Sequence, residues 1–397
     1  MEQRVAQEVA VAVIKMKAKV PFFKSFFQLL IIVNSLVISA VGNTATLPPD
    51  TVDALYHGYE GGGMDINGPF VLVRKSAGTN FSLNGHYYVD SVSSASIDVR
   101  ATASAYEEER TEYSAGVDFL HEKTIVSAGY TNSEENDFSA DTVFVSVSQD
   151  FFGDLTNLSF GYSRGWDEVG MIQSDFSEDV DRQNYKLGLS QVITKNMLFG
   201  VDVDIITDEG YLNNPYRVYR YQSGSSFETA TEKYPQTRTS TAVALRSLYY
   251  LPYRASIKAE YRYFTDSWGI EADTFELQYI HPVGPSWVFE GRYRYYQQTS
   301  ADFYSDLFPF QDSQDFMGRD KELSTFSDYT IGLGASYIFG KGAIPHVDRL
   351  KLTALVDYLE FSYDNFRDVT KPSTVAGNEP LYGFDAWVTR ISVTMEY

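Results

Sequence analysis

Charged side chains, with one amide among them, recur at every second position in three consecutive segments, a spacing that puts them on one face of neighbouring β-strands. They are Lys258, Glu260 and Arg262, then Glu276 and Gln278, then Glu290, Arg292 and Arg294. Opposite charges on adjacent strands stabilise each other, and a charged ring inside a pore selects among permeating solutes. A salt-bridge ladder that only fills the interior of a barrel is an equally good interpretation.

An earlier segment alternates in the same way, with Asp202 and Asp204 set against Val201, Val203 and Ile205. We expect the apolar residues to face lipid and the two carboxylates to face the lumen. The predicted lumen or constriction residues are therefore Asp202, Asp204, Lys258, Glu260, Arg262, Glu276, Glu290, Arg292 and Arg294.

Residue types that carry catalysis or hold cofactors are scarce. The chain has no cysteine and five histidines, which are scattered along it. No G-x-S-x-G or H-E-x-x-H motif is present, so we predict no enzymatic activity, no cofactor and no metal site. We expect His86 to face the lumen as a hydrogen-bonded polar side chain. A net charge of −21 argues against a nucleic-acid partner, because phosphates need a basic surface.

The segments that would position these residues alternate between apolar and polar side chains over about ten residues, which is typical of membrane-spanning strands. An even number is the rule for single-chain bacterial barrels, and fourteen strands are predicted. The fold class is therefore all-β, a transmembrane antiparallel β-barrel. The predicted strands are 81–92, 111–120, 124–131, 141–149, 155–166, 183–193, 197–207, 238–251, 255–265, 273–281, 287–298, 327–339, 349–361 and 386–397.

Connections between these strands alternate in length, as expected for short periplasmic turns and long external loops. The predicted external loops are 93–110, 132–140, 167–182, 208–237, 266–272, 299–326 and 362–385. Several are acidic, for example at Glu134, Glu135 and Asp137. None has the ordered spacing of a calcium loop, so we expect solvated surfaces that divalent ions bridge to lipopolysaccharide.

The chain divides into three predicted regions. Residues 1–42 have the basic, apolar and small-residue parts of a signal peptide, with an alternative start at Met16. Residues 43–80 contain two prolines, Gly61–Gly63 and apolar residues, and we expect either a plug-like segment or a periplasmic tail. Residues 81–397 form the predicted barrel.

Aromatic residues near the strand ends predict interfacial girdles. They are Tyr113, Tyr130, Tyr162, Trp166, Tyr263, Trp268, Tyr295 and Tyr337. The last strand ends on Tyr397, as in substrates of the outer-membrane insertion machinery, which we expect as a partner together with outer-membrane lipid.

Four segments resemble a family of uncharacterised Gram-negative outer-membrane proteins, known as a domain of unknown function. They are DALYHGYEGGG with GPFVLVRK (53–75), YYVDSVSSASIDV (87–99), EERTEYSAGVDFLHEKT (108–124) and QDFFGDLTNLSFGYSRGWDEV (149–169). The resemblance implies a barrel and no established activity. It also associates the chain with exported redox proteins.

Two functions follow as hypotheses for a protein of the Gram-negative outer membrane. One is a channel or transporter for small solutes. The other is a barrel scaffold that docks an exported redox or other periplasmic partner.

Overall fold

The computed structural model describes residues 45–93, 107–172, 174–340, 342, 344–371 and 373–397. Within them, sixteen antiparallel strands close into a barrel, and a separate two-stranded hairpin, β10–β11, lies in one external loop. The predicted signal peptide lies outside the described residues. The strands are β1 Thr51–Gly61, β2 Met64–Ala77, β3 Phe81–Ser93, β4 Glu107–His121, β5 Thr124–Glu134, β6 Phe138–Phe151, β7 Thr156–Gly170, β8 Ser177–Thr194, β9 Met197–Gly210, β10 Val218–Ser223, β11 Ser226–Thr231, β12 Thr237–Tyr250, β13 Ser256–Asp266, β14 Glu271–Val283, β15 Trp287–Gln298, β16 Phe326–Ile338, β17 Arg349–Arg367 and β18 Leu381–Glu396.

All fourteen predicted strands are present, but the prediction for the N-terminal segment is wrong. Residues 51–77 are β1 and β2, and β1 closes the barrel by pairing with β18. The alternation of apolar and polar residues is weak in β1 and β2, because their inward positions include apolar residues such as Leu55 and Leu72. The two faces of these strands therefore differ little in polarity. Pro69 also suggests the end of a strand, since proline has no N–H to donate to the backbone hydrogen bonds of a sheet. The pairing of β2 with β3 skips Gly68 and Pro69.

The glycine-rich sequence between β1 and β2 forms a tight hairpin turn. Gly62 and Gly63 have φ of 60° and 84°, a left-handed geometry that a type I′ hairpin turn needs at both central positions. This turn lies at the same end as the long loops, so one external connection is very short. The external connections 135–137 and 267–270 are also short, because the strands that flank them extend beyond their predicted ends.

The outer surface of the barrel is apolar and rich in aromatic side chains. Leu277, Ile331, Leu333 and Trp387 are all exposed, whereas charged residues such as Asp202, Arg246 and Arg294 line internal cavities. A closed barrel pairs every strand and leaves no edge in lipid. With its apolar exterior and polar interior, the protein is an integral outer-membrane barrel. Among the described residues, no helix is long and apolar enough to span a membrane.

The external loops pack into an ordered assembly, here called the cap, which consists of residues 211–236, 299–325 and 368–380. It contains the β10–β11 hairpin and a short 3-10 helix, Lys321–Leu323. Tyr219, Phe308 and Met317 are completely buried at one of its centres. Such burial of large side chains gives external loops a core of their own.

One predicted girdle residue packs against the cap instead of facing the membrane interface. Trp268 is only 4% exposed and packs against Tyr234 and Phe303. Its indole Nε1 donates to the backbone oxygen of Thr237 at 2.9 Å. It lies in the turn after β13, where an alternation pattern cannot distinguish the outer face of a strand from the underside of a loop.

Candidate functional site

The predicted charged residues on β9 and β13 are joined through a residue that the prediction omitted. Arg246 on β12 lies 2.7 Å from Asp202 and 2.9 Å from Glu260, so it bridges the two strands that flank its own. Barrel order places β12 between β9 and β13. The result is a continuous row of alternating charge across three strands, which we call the first ladder.

A second ladder crosses β15, β17 and β18. Arg292 Nη2 donates to Asp357 at 2.7 Å, and Arg390 Nη2 donates to the same carboxylate oxygen at 2.5 Å. The Asp357 side chain is only 6% exposed, so two positive charges compensate one buried negative charge. On β16, Asp328 accepts from Arg294 Nη1 at 2.8 Å.

The other candidates lie between or beside these ladders. Glu276 lies in register with Glu260 on one side and Arg294 on the other, and Gln278 donates to Glu290 at 3.3 Å. Asp204 and Lys258 have no ion pair within the part of the chain that the structure describes. The predicted residues therefore share one interior surface on neighbouring strands, although they do not form one uninterrupted network.

Sequence reasoning missed Arg246, Asp328, Asp357 and Arg390. None of them has a charged residue two positions away on its strand. The signal that revealed the other candidates was repetition at every second position, and an isolated charge has no such repetition. Pairing register, which single-strand patterns do not specify, determines which isolated charges meet.

A large cavity lies at the external end of the lumen. Its volume is about 1140 Å³, and its walls combine strand ends with cap segments 211–217 and 320–323. Among the constriction candidates, Arg262 and Arg294 line it. Tyr216 of the cap spans part of the mouth, because its hydroxyl donates to Asp137 in the turn after β5 and accepts from the backbone N–H of Ile172 at 2.8 Å.

A second, smaller cavity lies on the periplasmic side of Arg262. Its volume is about 340 Å³. Asp202, Arg246 and Lys258 line it, together with small residues such as Ser159 and Gly188. Two members of the first ladder therefore line this smaller cavity, whereas Arg294, which bonds Asp328, lines the larger one.

A buried arginine holds the cap together. Arg220 on β10 is 2% exposed and bonds Asp306 and Glu379, the latter at 2.8 Å, so it joins three separate loop segments. Burial alone would raise the pKa of Glu379. The hydrogen bonds and charge of Arg220 outweigh that effect and hold the pKa below its ordinary value. Burial lowers the pKa of Arg319, a second arginine that contacts Asp306.

Two histidines lie on the interior wall formed by β1–β4. His86 Nε2 is 2.9 Å from Glu112 Oε1, so it has the polar partner that we expected. His57 Nε2 is 2.6 Å from Asp90 Oδ1, and its ring stacks on Tyr88 with the centroids 5.4 Å apart. Each histidine therefore has its own carboxylate, and their hydrogen bonds account for their burial.

Solved structures resemble this barrel at low sequence identity. A chain described as bacterial polysaccharide outer membrane secretin covers 88% of this chain with 100% of its own length, at 10% identity and a TM-score of 0.48. A loop L8 deletion mutant of OmpT, an outer membrane protein of Vibrio cholerae, covers 87% with 98% of its own length, at 10% identity and a TM-score of 0.41. The CymD monoaromatic hydrocarbon channel covers 89% with 89% of its own length, at 9% identity and a TM-score of 0.41. At these values the likeness concerns the barrel fold alone.

No curated protein sequence matches the chain. One family model does match, over residues 99–358, which is more than half of the sequence. This match confirms the resemblance to an uncharacterised family of outer-membrane barrels. The chain therefore belongs to the family described as protein of unknown function DUF3570.

Proposed function

We propose that the protein is an outer-membrane channel that passes small solutes through a lumen narrowed by the charged ladders. The observation that carries the proposal is that lumen-facing charged side chains line two cavities at different depths of the barrel. Arg262 and Arg294 border the external space of about 1140 Å³, whereas Asp202, Arg246 and Lys258 border the space of about 340 Å³ below it. Charged side chains that line the lumen are the groups by which pores discriminate among ions.

The wall that faces the lumen from β4–β8 supports this function because most of its side chains are small. Gly188, for example, shares the face of Asp202, since a Cβ atom at Gly188 would lie 3.1 Å from Asp202 Oδ1. The small residues on this face are Ser114, Gly116, Ser127, Gly129, Thr131, Ser146, Ser159, Gly161, Ser163, Gly188 and Ser190. Small side chains leave space beside the charged ladders, whereas large ones would fill a barrel of this size.

Conductance of the purified protein in a planar bilayer tests the proposal. The parent should conduct ions. Arg292→Ala combined with Arg294→Ala removes two lumen-facing positive charges and should shift the reversal potential in a salt gradient toward cation selectivity. Arg164→Gln is the control, because Arg164 pairs with Asp181 on the outer face of β7 and β8, where it lies over Trp166.

Two outcomes would contradict the channel proposal. Folded protein that never conducts would favour the scaffold for a periplasmic partner, and co-purification with an electron carrier would then test that alternative. If Arg164→Gln changes the ion selectivity as much as the double substitution does, the ladders do not determine selectivity.

A further inference from the structure

Three arginines of the external cavity each lie over an aromatic ring. Arg238 lies 4.5 Å from the centroid of Trp268 and Arg294 lies 5.2 Å from that of Tyr296. Arg262 lies 5.6 Å from Phe264. All six side chains line the cavity, and we call them the arginine–aromatic wall. Stacking on a ring fixes the plane of a guanidinium and leaves its N–H edge free to donate.

The three arginines differ in what that edge contacts. Arg238 donates twice to Asp266, at 2.8 and 2.6 Å, and Arg294 donates to Asp328 at 2.8 Å. Arg262 has no carboxylate partner among the described residues. Its neighbours in register are Ala244 on β12 and Thr274 on β14, and neither carries charge. Arg262 therefore presents an uncompensated positive charge and a planar set of donors to the cavity.

Carboxylates also line the cavity, but they do not neutralise Arg262. Three of them are paired with other arginines: Asp208 with Arg182 at 3.5 Å, Asp320 with Arg217, and Asp328 with Arg294. Glu135 and Asp137 lie in the turn between β5 and β6, at the opposite edge of the lining. Glu322 is 68% exposed and bonds Lys321.

Aromatic side chains form another part of the cavity lining. It includes Tyr211, Tyr234, Phe326 and Phe361 in addition to the rings of the wall. Pockets that bind small organic molecules combine such apolar area with a few polar groups that fix orientation. A flat apolar body would bury aromatic surface here, and an oxyanion attached to it would satisfy the free guanidinium.

We propose that the arginine–aromatic wall binds a small organic anion, an aromatic ring that carries a carboxylate, with Arg262 donating to the oxyanion. This inference rests on the proposed function and names the class of solute that enters the channel. Guanidinium and carboxylate match in planar, bidentate geometry, so the charged group sets the orientation of the solute above the ladders.

Fluorescence of Trp268 tests binding directly. The other tryptophans, Trp166, Trp287 and Trp387, are exposed on the outer surface and can be replaced by Phe. Benzoate should then quench Trp268 saturably. Benzyl alcohol, which keeps the ring and loses the charge, should bind at least tenfold more weakly, and so should acetate, which keeps the charge and loses the ring. Phenyl phosphate distinguishes a preference for carboxylate from a general preference for oxyanions, and equal or tighter binding of phenyl phosphate would overturn the carboxylate assignment.

Variants of the wall complete the test. Arg262→Gln should weaken benzoate binding at least tenfold, and Arg262→Lys should restore part of the loss because it restores the charge without the planar donors. Lys186→Gln, which removes an exposed positive charge on β8 outside this cavity, should leave benzoate binding unchanged. Heat-modified mobility on gels verifies that each variant is folded.

Equal binding of benzoate and benzyl alcohol, or an Arg262→Gln variant that binds benzoate normally, would overturn the inference. Conductance measured on the same preparations separates this failure from failure of the channel. If the protein conducts but does not bind benzoate, the proposed function stands and the anion site is rejected. If the protein binds benzoate but never conducts, the channel proposal is wrong, and the site has no role in transport.

Discussion

Gly332 leaves the space that the carboxylate of Asp357 occupies. A Cβ atom on Gly332 would lie 2.0 Å from Asp357 Oδ1, and the two residues are partners in the pairing of β16 with β17. The absence of a side chain on β16 thus allows Asp357 to reach across that strand to Arg292 on β15, while Arg390 approaches it from β18. A glycine in the middle of a strand here serves the interior network rather than the backbone.

Gly332→Ala should therefore displace Asp357 and separate it from both arginines. Leaving buried charges without partners costs on the order of 3 kcal/mol, so we expect a lower temperature of heat-induced unfolding on gels. Gly291→Ala is the matched control on the adjacent strand, because a Cβ atom there would meet only Leu333 Cδ2, at 4.0 Å. Equal loss of stability in the two variants would mean that strand propensity, and not the Asp357 network, causes the effect.

The orientation of β9 gives a second prediction. Val203 faces the outside of the barrel and Asp204 shares the inner face of Asp202, whose carboxylate bonds Arg246 inside the lumen. Arginine on a lipid-facing position near the midplane costs roughly 2–4 kcal/mol, whereas lumen changes mainly tune selectivity. Val203→Arg should thus reduce the folded yield after insertion into vesicles far more than Asp204→Asn does. Similar yields would reverse the assignment of the two faces.

The sequence was sufficient to predict most of the barrel, because lipid outside and water inside impose opposite polarity on alternate residues. It failed for β1 and β2, where Leu55, Leu72 and other apolar residues face inward and blur that contrast. The predicted plug disappears with this correction, and deletion of residues 46–75 would remove two barrel strands instead of opening a lumen.

The candidate site was predicted less completely. Repetition of charge identified Arg262 and Arg292, but the partners of a ladder depend on register across strands, which no single segment contains. The cap was predicted only as long loops. Its order depends on contacts between residues far apart in sequence, such as Arg220 and Glu379, and composition gives no indication of those contacts.

A third prediction concerns the stability of the cap. Arg220→Met should leave Asp306 and Glu379 buried without their shared cation, a loss of roughly 3–5 kcal/mol for a buried pair. The cap should open while the barrel persists, so that protease cuts within 218–231 on intact cells. Lys233→Gln is the control in the same cap, since Lys233 and Asp312 are 51% and 55% exposed and such a pair contributes about 0–1 kcal/mol. A cap that stays resistant to protease in Arg220→Met would show that its apolar core is sufficient.

The carboxylate of Glu379 also makes the cap sensitive to acid. The pKa of Glu379 in the folded protein lies below its ordinary value of 4.5. A carboxylate whose pKa is lower in the folded state contributes to the free energy of unfolding at pH values above 4.5. That contribution to stability is lost as pH falls through the lowered pKa. We therefore expect the cap to loosen in acid. Because the chain has no cysteine, a spin label on Ser225→Cys reports only on the β10–β11 turn, whose Ser225 oxygen accepts from the N–H of Ala376.

The label on residue 225 should become mobile as pH falls through the lowered pKa of Glu379, whereas a label on Ser286→Cys, in a periplasmic turn, should not change. Other carboxylates titrate in this range, so the decisive comparison is with Glu379→Gln. That variant cannot lose a charge at residue 379, and its label should be mobile already at neutral pH and respond weakly to acid. If its cap is ordered at neutral pH and loosens in acid as the parent does, the charge of Glu379 is not what couples the cap to pH.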